Sequence, residues 1–333
     1  MDKMANKLSY ISVLRVIATI AVIAIHASSG YLNSTDIAGF DWRYANFINS
    51  FTRYSVPIFV IISGALLLTK EEDTVEFYKK RLLKICYPFI FWTIIYIFYN
   101  TNLFDLGIDE LISTIVYRLK NGANAHLWYL YMIIGLYLAI PFLQKIVQHA
   151  TTKELEIFLI LWLISLFIFN KNLPTYLPKL DITFFSSYTG YLILGYYLSI
   201  KDFSALKWWF LGIFIITAWG TSYFTYKMSL NAHEFRPLLY GYLSPNTVLI
   251  AASLFIFIKS ISKDRTLPKW AMWIDQYSFG IYLCHILILN YVHPILPVGT
   301  FLKIPLATVV TLLISILLTY SIRKIPLGKY VSG

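Results

Sequence analysis

Only two cysteines occur in the 333 residues, Cys86 and Cys284, and both fall inside apolar segments. That excludes a disulfide framework and a cysteine zinc site. Charge is scarce as well: Asp, Glu, Lys and Arg together make up 14% of the chain. No loop is long enough to bury a core of its own, which argues against a separate soluble unit and predicts one domain over residues 1–333. The sequence has no Walker loop, no dinucleotide fingerprint, no HExxH and no CxxC pattern. It also lacks a 20–50-residue repeat and any low-complexity linker. No small-residue cleavage site follows the first apolar segment, which predicts that this segment is retained.

What the chain has in quantity is apolar surface. It is 58% hydrophobic and 18% aromatic, with a mean hydropathy of +0.64. These values predict an all-α polytopic membrane bundle. Apolar stretches suggest about ten spans, over 9–29, 45–69, 83–100, 126–144, 155–170, 184–200, 207–226, 243–260, 273–293 and 304–322. Residues 70–84 are polar and charged, and 101–125 read as a re-entrant or surface segment. Gly190 and Gly195 suit close helix packing. The net charge of +11 would fit a nucleic-acid partner in a soluble protein. In a membrane protein the excess Lys and Arg marks cytoplasmic loops instead. With both termini placed in the cytoplasm, 18 Lys and Arg fall inside and nine outside, as the positive-inside rule requires.

The first span, Ser9–Gly30, carries two residues that a lipid-facing helix should not have, Arg15 and His26. A charge at membrane depth costs about 3 kcal/mol on insertion and is a functional hypothesis by default. The two are eleven residues apart, close to three helical turns, so they share one face about 16 Å apart along the axis. Plainer readings exist: Arg15 could snorkel to the cytoplasmic headgroups, and His26 could sit at the interface. As a same-face pair they fit a task with a charged group at one level and proton transfer at another. Arg holds phosphate in a bidentate way, and His takes a proton from a hydroxyl near neutral pH. A long phosphorylated donor entering from the cytoplasm matches this layout, with its phosphates on Arg15 and the basic stretch 79–84 and its reactive end at His26. Acyl-coenzyme A has that shape.

Further blocks follow in order: Val56-Pro57-Ile58-Phe59 with Ser63-Gly64, Tyr87-Pro88-Phe89 after a basic run, His126-Leu127-Trp128-Tyr129, Leu136-Tyr137 with Pro141, and Ser278-Phe279-Gly280-Ile281-Tyr282 with His285. With the Arg15–His26 spacing, this ordered set resembles the membrane-bound acyltransferase 3 family over essentially the whole chain. The stretch Asn49–Pro57 and the His-Leu-Trp block look closest to the stand-alone branch that O-acetylates surface polysaccharides such as enterobacterial common antigen. The family's basic motif is often Arg-x-x-Arg, whereas this chain has Arg81-Leu82-Leu83-Lys84, and Lys lacks the bidentate fork. No appended esterase-like domain is visible.

The resemblance implies transfer of an acyl group, most often acetyl, from acetyl-coenzyme A to a hydroxyl of a surface or lipid-linked glycan, in the cytoplasmic membrane of a bacterium. The partners it implies are acyl-coenzyme A, the glycan acceptor and membrane lipids. His26 would be general base or transient acyl carrier. Arg15 would position the donor, and Arg81 with Lys84 would bind its phosphates. Arg53, His126 and Trp128 would line the acceptor site. His285 is either a packed, hydrogen-bonded residue or part of that site. The basic run has a plainer reading as a positive-inside anchor, and Trp128 as part of an interfacial aromatic belt. Two rival functions are a transporter of a polyprenol-linked or acylated sugar and a scaffold of a polysaccharide-synthesis complex.

Overall fold

The computed structural model describes residues 2–34, 36–101, 107–168, 184–262 and 267–332, with side chains from Tyr10 onward. Lys171, Lys179, Lys263 and Arg265, counted above among the loop charges, lie outside the described residues, as do the side chains of Lys3 and Lys7. Among the described residues every regular element is helical, and the chain forms the expected all-α membrane bundle. In order the helices are α1 (Asp2–Ser29), α2 (Phe40–Thr52), α3 (Ser55–Leu67), α4 (Thr74–Asn100), α5 (Ile108–Asn121), α6 (Trp128–His149), α7 (Thr152–Ile168), α8 (Thr189–Ile200), α9 (Lys207–Ala232), α10 (Pro245–Ile261), α11 (Lys269–Ile295), α12 (Thr300–Lys324) and α13 (Gly328–Val331).

Each expected span falls on a helix, but not every one is a full crossing. Among the described residues seven stretches are long and apolar enough to cross alone, and α8 with α9, bent by 100°, supplies an eighth. Among the described residues α7 counts 17 residues, and the residues that follow it, 169–183, lie outside the described ones; α8 counts 12. At 1.5 Å per residue α8 reaches about 18 Å, against a hydrocarbon core of about 30 Å.

Two boundaries differ from the hydropathy reading, each for a local reason. The expected span 45–69 is broken, because Pro57 in the first turn of α3 has no N–H for the Arg53 carbonyl. The break leaves Arg53 between two helices. The run 70–84 is largely helical. The Asp73 carboxylate accepts from the backbone N–H of Val75 at 2.9 Å and of Glu76 at 3.0 Å, capping α4 at Thr74. Lys79–Lys84 therefore ride on the first turns of α4.

The bundle has an apolar core, and the hydroxyl side chains of its helices also turn inward while large apolar side chains face outward, as a lipid solvent demands. On α9, Thr221, Thr225 and Ser229 recur every four residues and are buried, while Ile216 and Trp219 are exposed. On α12, Thr308, Thr311, Ser315 and Thr319 turn inward, and Leu313 and Leu317 outward. Helices α3 and α8 touch backbone to backbone. A Cβ at Gly64 would lie 2.0 Å from the Leu192 carbonyl oxygen, and one at Gly195 would lie 2.0 Å from that of Ile61. Gly190 makes room for the Trp162 indole in the same way. The bend after α8 is held by Lys259, whose Nζ donates to the carbonyls of Leu198, Ser199 and Lys201 at 2.7, 2.9 and 2.7 Å. Helix α5 buries none of its residues and exposes Ile108, Ile112 and Val116 on one side, the amphipathic pattern of a surface segment.

Candidate active site

Helix α1 packs along α11, and two pairs fix their register. Near the start of the span the Arg15 guanidinium is ion-paired to the Asp275 carboxylate, which also accepts from Ser12 Oγ at 2.7 Å. The side chains of Arg15 and Asp275 are only 28% and 20% exposed. The pairing offsets the insertion cost of both charges. Eleven residues after Arg15 and ten after Asp275 come His26 and His285, whose ring centroids are 5.2 Å apart. The two helices thus run parallel, with the ion pair at one level and the imidazoles about three turns further on.

A third imidazole joins this pair. His126 lies in a short 3-10 turn, Ala125–Leu127, at the head of α6. Its ring centroid is 5.2 Å from His285 and 6.5 Å from His26. The turn is pinned from α11, because Tyr282 OH donates to the His126 carbonyl. His126 Nδ1 faces Asn124 Oδ1 at 3.1 Å, and His285 Nδ1 faces the Tyr282 carbonyl at 2.6 Å. The Nε2 atoms of both rings are buried and make no hydrogen bond. Among the described residues no His, Cys, Asp and Glu group is arranged to hold a metal ion.

Two cavities approach this cluster from opposite ends. At the Arg15 end a cleft of about 910 Å³ is walled by Lys79, Arg81 and Lys84 of α4, Arg323 of α12 and Lys329 of α13. Arg81, Tyr129, Tyr137 and Phe279 also line a second chamber of about 240 Å³, which reaches Arg15. Arg81 Nε is buried there without a partner. The chamber ends under Phe59 and Tyr282. Between these rings and His285 lies a closed seam, with Thr19 and Ile281 on its walls and no space for a water-sized molecule.

At the other end a recess of about 490 Å³ is lined by Ser29 and Gly30, just past His26, and by Arg53, Phe235 and Tyr240. Arg53 is tied down. Its guanidinium donates to Asn49 Oδ1 and, at 3.1 Å, to the Tyr240 carbonyl, and it lies 4.4 Å from the Tyr240 ring centroid. Asn49 in turn donates to the Ile25 carbonyl at 3.1 Å, next to His26. Trp128 stands beside the recess rather than in it, 38% exposed and stacked on Tyr242 at 5.6 Å. The guanidinium of Arg53 reaches the other aromatic of that stack, 5.5 Å from the Tyr242 centroid.

The acyltransferase domain family matches residues 8–320. The chain belongs to the acyltransferase 3 family. No curated protein and no solved structure matches it. In this acyltransferase, Arg15, Arg81 and Lys84 stand on one cleft system, and His26 lies beyond its far end. Of the four residues expected at an acceptor site, Arg53 lines the outer recess and Trp128 flanks it. His126 and His285 do not line it and pack against His26. Three residues went unassigned from sequence: Asp275, Arg323 and Lys329. Asp275 had a signal, since an acidic residue inside the apolar run 273–293 invites the same question as Arg15. Arg323 and Lys329 had none beyond their basic charge, because only folding brings the chain end against α4.

Proposed function

We propose that this membrane acyltransferase moves an acyl group, most often acetyl, from cytoplasmic acyl-coenzyme A to a hydroxyl of a cell-surface or lipid-linked glycan, in the cytoplasmic membrane of a bacterium. The observation that carries the reading is the basic cleft, which shares Arg81, Tyr129, Tyr137 and Phe279 with the Arg15 chamber; that chamber ends at Phe59 and Tyr282, which also wall the seam against His285. Arg and Lys from three helices suit the phosphates of coenzyme A. The narrower chamber suits the pantetheine arm, with Arg15 holding its position.

His26 is the general base. It takes the proton of the acceptor hydroxyl as the oxygen attacks the thioester carbonyl. The C–O bond forms, the C–S bond breaks, and the proton passes to the leaving thiolate as coenzyme A departs. The recess past His26 suits the acceptor. Its Arg53, held against Tyr240, and the aromatic pair Trp128–Tyr242 offer a cation and flat faces for a sugar.

The test is acetyl-coenzyme A turnover by purified protein in lipid, with surface glycan as acceptor, followed by thiol release and by ester mass on the glycan. Wild type forms the ester. Arg15→Ala and His26→Ala each lose at least about a hundredfold, in line with the worth of a general base. An intact thioester with wild type, across several donors and acceptors, would overturn the reading in favour of a sugar transporter.

A further inference from the structure

A cleft for phosphate alone needs cations and little else. The cleft at the Arg15 end also has aromatic walls. Five aromatic residues line its described surface, and three of them, Tyr129, Tyr137 and Phe279, are shared with the inner chamber. Tyr87 of α4 and Tyr330 of α13 are not shared, so they belong to the part of the cleft beyond the chamber. Their ring centroids are 6.2 Å apart in an edge-to-face pair, and each residue is 49% exposed. Each ring has a cation beside it. Lys84 precedes Tyr87 by three residues on α4, which makes the two neighbours on one helix face. Lys329 Nζ lies 5.0 Å from the Tyr330 ring centroid. The backbone that carries Tyr330 is fixed. Trp92 Nε1 donates to the Val331 carbonyl at 3.0 Å, and Arg323 Nε donates to Ser332 Oγ at 3.3 Å. Gly280 leaves room for the same segment, since a Cβ there would lie 2.6 Å from the Ser332 carbonyl oxygen. A wall built in advance lowers the ordering cost of binding.

We infer that Tyr87 and Tyr330 form the subsite for the adenine base of the donor's coenzyme A. This inference rests on the cleft taking acyl-coenzyme A. Along that donor the order of groups is pantetheine arm, phosphates, base. With the arm in the Arg15 chamber, the phosphates and the base fall in the outer cleft, where cations and half-exposed rings stand side by side. The rings supply flat faces for stacking, which tolerates any base because every base has a π-face. The cations beside them, Lys84 and Lys329, take the charge next to the base.

The test is equilibrium binding to the purified protein in lipid nanodiscs, with two probes. Coenzyme A carries both the base and the arm, whereas adenosine 3′,5′-bisphosphate carries the base and lacks the arm. Three substitutions separate a ring from mere apolar bulk: Tyr330→Phe, Tyr330→Leu and Tyr330→Ala. If Tyr330 stacks the base, Ala and Leu each weaken both probes by about tenfold, and Phe stays within about twofold of wild type. Tyr87→Ala, on the other element, weakens both probes in the same sense. If the two tyrosines only anchor the protein at the membrane interface, Ala binds both probes as wild type does. Leu binding as tightly as Phe assigns the effect to bulk, and a loss confined to coenzyme A assigns the rings to the arm. Each of these three results overturns the inference, as does a wild type that binds coenzyme A but not adenosine 3′,5′-bisphosphate. Wild type that does not bind coenzyme A brings down the functional reading together with this subsite. Wild type that binds it, with all Tyr330 variants equal, brings down the subsite alone.

Discussion

The two cavities that flank the first helix treat positive charge in opposite ways. The cleft at the Arg15 end is walled by Lys79, Lys80, Arg81, Lys84, Arg323 and Lys329, with no acidic residue in its described lining. Part of that charge is committed: Lys80 pairs with Glu72 and Glu76, and the Arg323 guanidinium donates to Ser332 Oγ and the Gln276 carbonyl and lies 4.7 Å from the Tyr277 ring centroid. Among its described lining the recess past His26 has one cation, Arg53, and its guanidinium is already engaged by Asn49, the Tyr240 carbonyl and the Tyr240 ring. Charge left uncommitted on a wide wall attracts an anion from a distance. Charge fully committed in a small recess shapes a wall. The first end suits a phosphate-rich ligand, and the second a neutral, hydroxyl-bearing one.

The largest effect expected from this contrast is on the donor side. Arg81→Ala with Lys84→Ala should raise the donor KM by about a hundredfold, at about 1.5 kcal/mol or more for each charge-assisted bond. The acceptor KM should not move. The wild-type donor KM should also rise with added salt, while the acceptor KM stays flat. Steady-state kinetics against ionic strength check both, and equal salt dependence at the two ends would break the comparison. A smaller effect is expected at the ion pair. Asp275→Asn leaves Arg15 without its counter-charge and should lower turnover about tenfold and stability by about 1–3 kcal/mol. Thermal unfolding in detergent beside a turnover assay reads both. The smallest effect lies at the outer aromatic stack. Trp128→Ala should raise only the acceptor KM, about fivefold, the worth of one aromatic contact at about 1 kcal/mol. A matching change in donor KM would place Trp128 on the wrong side.

The sequence exposed whatever lies within one helix. Arg15 and His26 share a face because eleven residues make three turns, and that arithmetic needs no neighbour. The basic run was visible for the same reason, and so was the cap on α4 in principle, as Asp73 followed three residues later by Glu76. What remained hidden was which helices meet. His126 and His285 lie 159 residues apart in the chain, and nothing in either stretch says that both rings rest near His26. Their grouping depends on α1 and α11 running parallel and on Tyr282 holding the turn ahead of α6. Arg323 and Lys329 reach the cleft for a similarly nonlocal reason. Trp92 Nε1 donates to the Val331 carbonyl at 3.0 Å, which ties α13 to α4. Among the described residues α8 and α9 together make one bent crossing where the apolar runs suggested two.

The closed seam at Phe59 and Tyr282 matters to the membrane as a whole. A protein hollowed from both faces is a short circuit waiting for a wire. Three imidazoles between the hollows are good wire material, since imidazoles linked by a file of water hand protons along quickly. The seam has no space for that water, so the file is interrupted by two aromatic rings. Between the chamber and His285 the barrier is therefore the packing of these side chains. One bundle thus keeps a cavity towards each end with packed side chains between the inner chamber and His285.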